Sequence, residues 1–229
     1  MSSKSLCIAI ETATRTSSVA VLNGDRFTEL NQDAQLTHSQ TLLPQLEEVL
    51  KLSGVPRGAV EMIAVSIGPG SFTGLRIGLA TAKALSYAWN VPIVGVSTLE
   101  ALAQHFPFGN VLTMIDAQKN KAYCQRFERL RAVDDIKVQS IEEIISTAGA
   151  FDGEIIICGD AVDKIKCELP SNVAMAPMNL KMPRAVNVGL CARRLMVEGR
   201  IDNVMNLEPL YVRRSEAEVL WEKRHPNSD

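Results

Sequence analysis

The chain has 229 residues, 46% hydrophobic and 22% charged, with a formal net charge of −2. That length can bury a core as one large domain or two small ones, and the near-neutral charge argues against a protein that grips nucleic acid alone through a basic surface. Five scattered cysteines (Cys7, Cys124, Cys158, Cys167, Cys191) without a CxxC pair, and no apolar run of membrane-spanning length, predict a reduced, cytoplasmic protein with no membrane partner.

Strand signals open the chain at Leu6–Ile10, Ser17–Leu22 and Phe27–Asn31, with Asn23-Gly24 in a turn. A helix is predicted from His38 to Leu52, with Leu42, Leu43, Leu46, Val49 and Leu50 on one broad apolar face. The stretch Met62–Ala88 is the most informative. It reads as a buried strand (MIAVSI), a glycine-rich turn (GPGSFTG) and a helix (LRIGLATAKALSYA). The turn lacks the lysine and hydroxyl of a P-loop, misses the dinucleotide fingerprint by one residue, and is not a nucleophile elbow. A strand-to-helix turn with no ligand is its simpler description, although its amides could hold an anion.

Within the following helix, Gly74, Gly78, Ala82 and Ser86 recur every fourth residue, and Ala80, Ala84 and Ala88 form a second small row. Glycine inside a helix costs about 1 kcal/mol relative to alanine, so the stripe implies that another backbone comes very close. That neighbour is either this chain's own sheet or a partner's helix.

A strand at Pro92–Val96 and a helix from Thr98 to Gln104 follow. After the break His105–Asn110 the pattern begins again. Val111–Ile115 and Ala122–Arg129 are strands around the turn Asp116–Lys121; next come a helix at Ser140–Ala148, a strand at Glu154–Cys158, a helix from Ala161, a strand at Asn172–Met175 and a helix at Val186–Glu198. This predicts an α/β chain of two similar halves, residues 1–108 and 109–215, with a charged tail at 216–229.

Three histidines (His38, His105, His225) have no metal-site spacing, and no local signature supports a nucleophilic triad. In a duplicated fold Glu11 and Asp116 would end equivalent strands at a common cleft, bordered by Gly159 and Asp160. These four are the candidate residues of a nucleotide cleft, but the turns after both acids lack glycine, and Gly159 stands alone. The predicted site is degenerate, with no metal-ligand set and no catalytic residue.

The segments IETAT, HSQTLLP, GPGSFTGLRIGLATAKAL, VSTLEALA, MIDAQKNKAY, CGD and PLYVR, in that order, resemble the TsaB (YeaZ) family of bacterial tRNA threonylcarbamoyladenosine factors over nearly the whole chain. The resemblance implies an actin-like ATPase (ASKHA) fold of two ribonuclease-H-like halves. It also implies partners: a heterodimer with the catalytic paralogue TsaD, the ATPase TsaE, tRNA met only through the complex, and a homodimer when the chain is alone. ATP and a metal would act in the whole complex, and the isolated chain would need neither. TsaD-like proteins hold their metal with two histidines, where this sequence has Thr98 and Leu102, and neither residue suits a metal. A scaffolding paralogue is therefore expected, in preference to a small-molecule kinase or a peptidase. Its partner surface is predicted on the two long helices, with Leu42, Leu46 and Val49 as anchors and Gly74, Gly78 and Ala82 as the close-contact stripe.

Overall fold

The structure, a computed structural model, describes residues 4–33 and 38–212. The predicted tail at 216–229, with His225, lies outside the described residues. Two mixed sheets organise the described chain. The first uses β1 (Cys7–Glu11), β2 (Thr16–Asn23), β3 (Arg26–Asp33), β4 (Met62–Gly68) and β5 (Ile93–Ser97), in the order β3-β2-β1-β4-β5. Here β1 runs antiparallel to β2 and parallel to β4. Central β1 is buried along its whole length, which is why CIAI is an unbroken apolar run rather than an alternating one.

The second sheet begins with β6 (Asn110–Asp116) and β7 (Lys121–Glu128), followed by β8 (Arg131–Ala132), β9 (Lys137–Ser140), β10 (Ile155–Cys158) and β11 (Val173–Met175). Its order is β11-β10-β6-β7-β8, with β9 also paired to β7. The two small strands β8 and β9 are absent from the sequence-based expectation. Arg131–Ala132 is exposed and Lys137–Ser140 carries no buried residue, so neither has an apolar period to reveal it. The helix expected from Ala161 is a single 3-10 turn, Asp160–Lys164.

Helices α1 (His38–Ser53) and α2 (Phe72–Trp89) cover one face of the first sheet, together with side chains such as Ile8, Ile10 and Ile63. The sheets face each other across α3 (Thr98–Ala103), whose Ala101 packs towards the first while Leu99 and Leu102 pack towards the second. Helix α4 (Ile141–Gly149) lies on the second sheet and opens with a full capping box between Ser140 and Glu143.

The last helix, α5 (Ala185–Val197), leaves the second half and packs on β1, β2, β4 and β5. Beyond it, Asp202 bridges Ile93 at the edge of β5, and Leu210 N–H donates to the Ile67 carbonyl. Residues 185–212 thus fold onto the first sheet, so the halves are not separate in sequence. Arg193 secures this return: Nε and Nη2 donate to the Ser5 carbonyl at 2.9 and 2.6 Å, and Nη1 to the Gly24 carbonyl at 2.8 Å. Replacing it by methionine keeps the aliphatic bulk but leaves these carbonyls without their donors. Arg193→Met should cost about 2–4 kcal/mol of stability in urea unfolding; a loss below 0.5 would mean that water replaces the guanidinium at little cost.

The expected partner anchors are corrected by burial. Leu42, Leu46 and Val49 point into the first core, with at most 4% exposure. The stripe Gly74, Gly78 and Ala82 is buried as well. A Cβ on Gly74 would lie 2.1 Å from the Thr12 carbonyl oxygen, and one on Gly78 would lie 2.2 Å from Thr12 Oγ1. The close backbone is therefore this chain's own β1–β2 turn. All six residues are spent internally.

Candidate functional site in the cleft between the sheets

A cleft of about 510 Å³ opens where the carboxyl ends of β1 and β6 meet the turn before α2. Such crevices beyond strand carboxyl ends are the usual ligand positions of open α/β sheets. One wall is the β1–β2 turn, Ala13–Arg15, with His38 at the start of α1. A second is Pro69–Phe72, and the third comprises Ile115–Gln118, Tyr123 and Asp160, closed at one end by Leu210–Val212.

Several backbone donors around the cleft are already committed. Ala13 N–H donates to Glu11 Oε1 at 2.5 Å and Ser71 N–H donates to the Ala13 carbonyl at 2.6 Å. Ser71 caps α2 by accepting from Gly74 N–H, and Gln118 N–H donates to Asp116 Oδ1 at 2.7 Å. Lys164 Nζ also reaches Asp116 Oδ1 at 2.5 Å. Neutral backbone donors spent on internal acceptors offer little to an incoming anion.

Of the four predicted cleft residues, the fold brings Asp116 and Asp160 together: Asp160 Oδ1 accepts Asp116 N–H at 2.8 Å. Burial raises the Asp160 carboxyl above the usual carboxylate range, and the neighbouring Asp116 charge adds to this. Glu11 does not line the cleft. It is sealed beneath the floor, where burial pushes its carboxyl up to about 7, against the lowering effect of the Ala13 N–H. Gly159 takes φ +122, and a side chain there would have no room against the Met114 carbonyl of β6. Its close packing against β6 accounts for the glycine at this position. Thr98 and Leu102 are both fully buried on α3, and Thr98 Oγ1 has no hydrogen-bond partner.

His38 donates from Nε2 to the Thr14 carbonyl at 2.9 Å, since a carbonyl can only accept. A cluster that the motifs alone did not assign stands at the rim. Phe72 stacks on Tyr211 with ring centroids 4.9 Å apart, Arg76 lies 3.9 Å over the Phe72 ring, and Arg76 Nε donates to Tyr211 Oη at 3.1 Å. These residues fasten the end of the described chain to the first turns of α2. The available signal was PLYVR, a motif with no role attached.

A family model described as "TsaD: tRNA N6-adenosine threonylcarbamoyltransferase" matches residues 30–221, most of the chain. The chain is similar to the tRNA threonylcarbamoyladenosine biosynthesis protein TsaB of Haemophilus influenzae, 29% identical over 94% of this chain and 95% of that protein. The Escherichia coli protein of the same description is also 29% identical, over 94% of this chain and 96% of its own length. The chain belongs to the TsaB (YeaZ) branch of the TsaD family. The solved YeaZ structure from Pseudomonas aeruginosa superposes with a TM-score of 0.76 at 26% identity, covering 91% of this chain and all of that one. The ethanolamine utilization protein EutJ from Carboxydothermus hydrogenoformans, at TM-score 0.50 and 10% identity, shares the fold alone. The architecture is the ASKHA, ribonuclease-H-like arrangement that the family resemblance implied, with the two α/β halves expected from the element order. Among the described residues no helix is long and apolar enough to cross a membrane.

Proposed function

We propose that this chain is a non-catalytic subunit for threonylcarbamoyl transfer to the adenosine beside the anticodon of tRNAs reading codons that begin with A. It binds and activates a TsaD-type catalytic subunit, with TsaE as the ATPase of the cytoplasmic assembly, and meets tRNA through that complex. The carrying observation is the internal commitment of cleft groups: the amides of Ala13, Ser71 and Gln118 and the Asp116 carboxylate are already bonded to the chain itself. The names of the family relatives supply the pathway, and Thr98 and Leu102 supply the argument against a metal-dependent catalyst or peptidase. For the same reason the free chain should bind ATP with a Kd weaker than about 1 mM in titration calorimetry; tight, magnesium-dependent binding would overturn the degenerate-cleft assignment.

With the inner faces of α1 and α2 buried, the partner surface belongs to their outer faces. There Leu43, Leu52 and Tyr87 are exposed, and Ala80, Ala84 and Ala88 form the second small row. Small side chains on an exposed helix let another helix approach closely, and exposed leucines and an aromatic ring give it apolar area to bury. The same surface would serve a homodimer in the absence of TsaD. Ala84→Arg should fold normally, because position 84 faces solvent. It should weaken co-purification with TsaD at least about tenfold and lower tRNA modification with it. Unchanged binding by folded Ala84→Arg would move the interface elsewhere.

A further inference from the structure

Glu11 ends β1 with no exposed surface. Its Oε1 accepts the Ala13 N–H, but Oε2 is buried without a hydrogen-bond partner. On neighbouring β4, Ser66 follows Val65, the register partner of Ile10, so Ser66 is placed beside Glu11. Its Oγ is likewise buried and unpartnered. An ionised carboxylate there would be a sealed charge with only the Ala13 amide and the Ser66 hydroxyl to support it, whereas a neutral carboxyl costs far less to bury and can share its proton with that hydroxyl.

The charged surroundings work in the same direction. Asp160, from the turn after β10, sets its like charge against Glu11. Asp116 and Lys164 lie beyond Asp160, and Arg15 also reaches it. The other titratable groups on packed elements are engaged elsewhere. Arg193 of α5 holds the Ser5 and Gly24 carbonyls, Arg184 pairs with Glu29, and His38 of α1 holds the Thr14 carbonyl. From α2, Arg76 turns to Tyr211 and Lys83 to the carbonyls of Met205 and Leu207.

We propose that Glu11 is a proton-operated catch between the two sheets. Neutral, it stays sealed beneath the β1–β2 turn; ionised, it is a buried charge that is relieved when the turn opens and lets water reach Oε2. Three contacts transmit the change. Ala13 N–H bonds directly to Glu11, the Ala13 carbonyl receives Ser71 N–H at the start of α2, and Thr12 Oγ1 donates to the Gly74 carbonyl. The inference concerns control of the cleft and stands apart from which partner the chain binds.

The direction follows from burial, which raises the folded-state value to about 7 from 4.5. The folded protein then holds a proton that the unfolded chain releases, so the catch is fully engaged below the unfolded value. It is lost as pH rises through the folded one. The full chain should be titrated from pH 5 to 9 by carbon-detected NMR of the glutamate carboxyls, with amide exchange followed at Ala13 and Ser71. We expect the Glu11 carboxyl to titrate near neutrality, clear of the other glutamates. Protection at both amides, corrected for intrinsic exchange, should fall by up to about tenfold per pH unit as pH rises from 5 to the midpoint and should level off above it. Glu11→Gln should remove that fall, and Asp160→Asn should move the midpoint down. Titration of Glu11 together with the surface glutamates would overturn the proposal, as would an equal loss of protection in Glu11→Gln. If Glu11→Gln fails to fold, the wild-type titration and Asp160→Asn decide the question.

Discussion

Gly78→Leu should unfold this protein rather than merely detach it from a partner. A Cβ at Gly78 would already lie 2.2 Å from Thr12 Oγ1 and 3.6 Å from Ile10 Cγ2. Thr12 cannot step aside freely, because its hydroxyl donates to the Gly74 carbonyl at 2.8 Å on the same helix. A leucine must therefore drive α2 away from β1 across the middle of the first core. Overpacking usually costs 1–3 kcal/mol, and adding the broken buried hydrogen bond brings the expected loss to about 4 kcal/mol or more. That is a large part of the stability of an ordinary domain. Urea unfolding of Gly78→Leu and Gly78→Ala, each with and without Thr12→Ala, measures it. Near-wild-type stability of Gly78→Leu would show that the helix can shift without cost, and the internal role assigned to the stripe would fall.

The second large effect is expected at Gly159. Alanine there would place its Cβ 1.8 Å from the Met114 carbonyl oxygen, at a φ of +122 that residues with a side chain rarely adopt. Backbone strain of about 1–3 kcal/mol then combines with a clash against an atom fixed within β6. Gly159→Ala should lose about 3–5 kcal/mol in the same assay and broaden the NMR signals of β6 and β10. If Gly159→Ala kept its stability but changed nucleotide affinity, the glycine would belong to a ligand site after all.

Most elements were legible because their apolar patterns are dense. The buried runs CIAI and MIAVSI could only be central strands, and the 3.6-residue period of Leu42, Leu46 and Val49 could only be a helix with one apolar face. What the pattern does not say is what that face meets. The surplus of leucines on α1 pointed to a partner, yet β1, β2 and β4 supply enough surface to absorb all three. The glycine stripe had the same two solutions, and Thr12 decides between them from a turn that carries no apolar signal. The site was legible in outline: acids do end equivalent strands, and Asp116 does meet Asp160. That Glu11 lies under the cleft floor depends on how deeply β1 sits in its sheet, which no local pattern records. The rim cluster joins residues 135 apart in sequence, Arg76 and Tyr211, beyond the reach of any periodicity.

The return of α5 to the first sheet governs how the chain can be made. Strand β5 ends at Ser97, but the helix that shields that face of the sheet is complete only at Val197. At translation rates of about 5–20 residues per second, the intervening hundred residues take roughly 5–20 s to emerge. Throughout that interval Ala9, Ala20, Ala64 and Val94, which α5 will later cover, have no lid from their own chain. The nascent first half is therefore the aggregation-exposed species of this protein, and truncation before residue 185 should yield a chaperone-bound or insoluble product rather than a smaller folded domain.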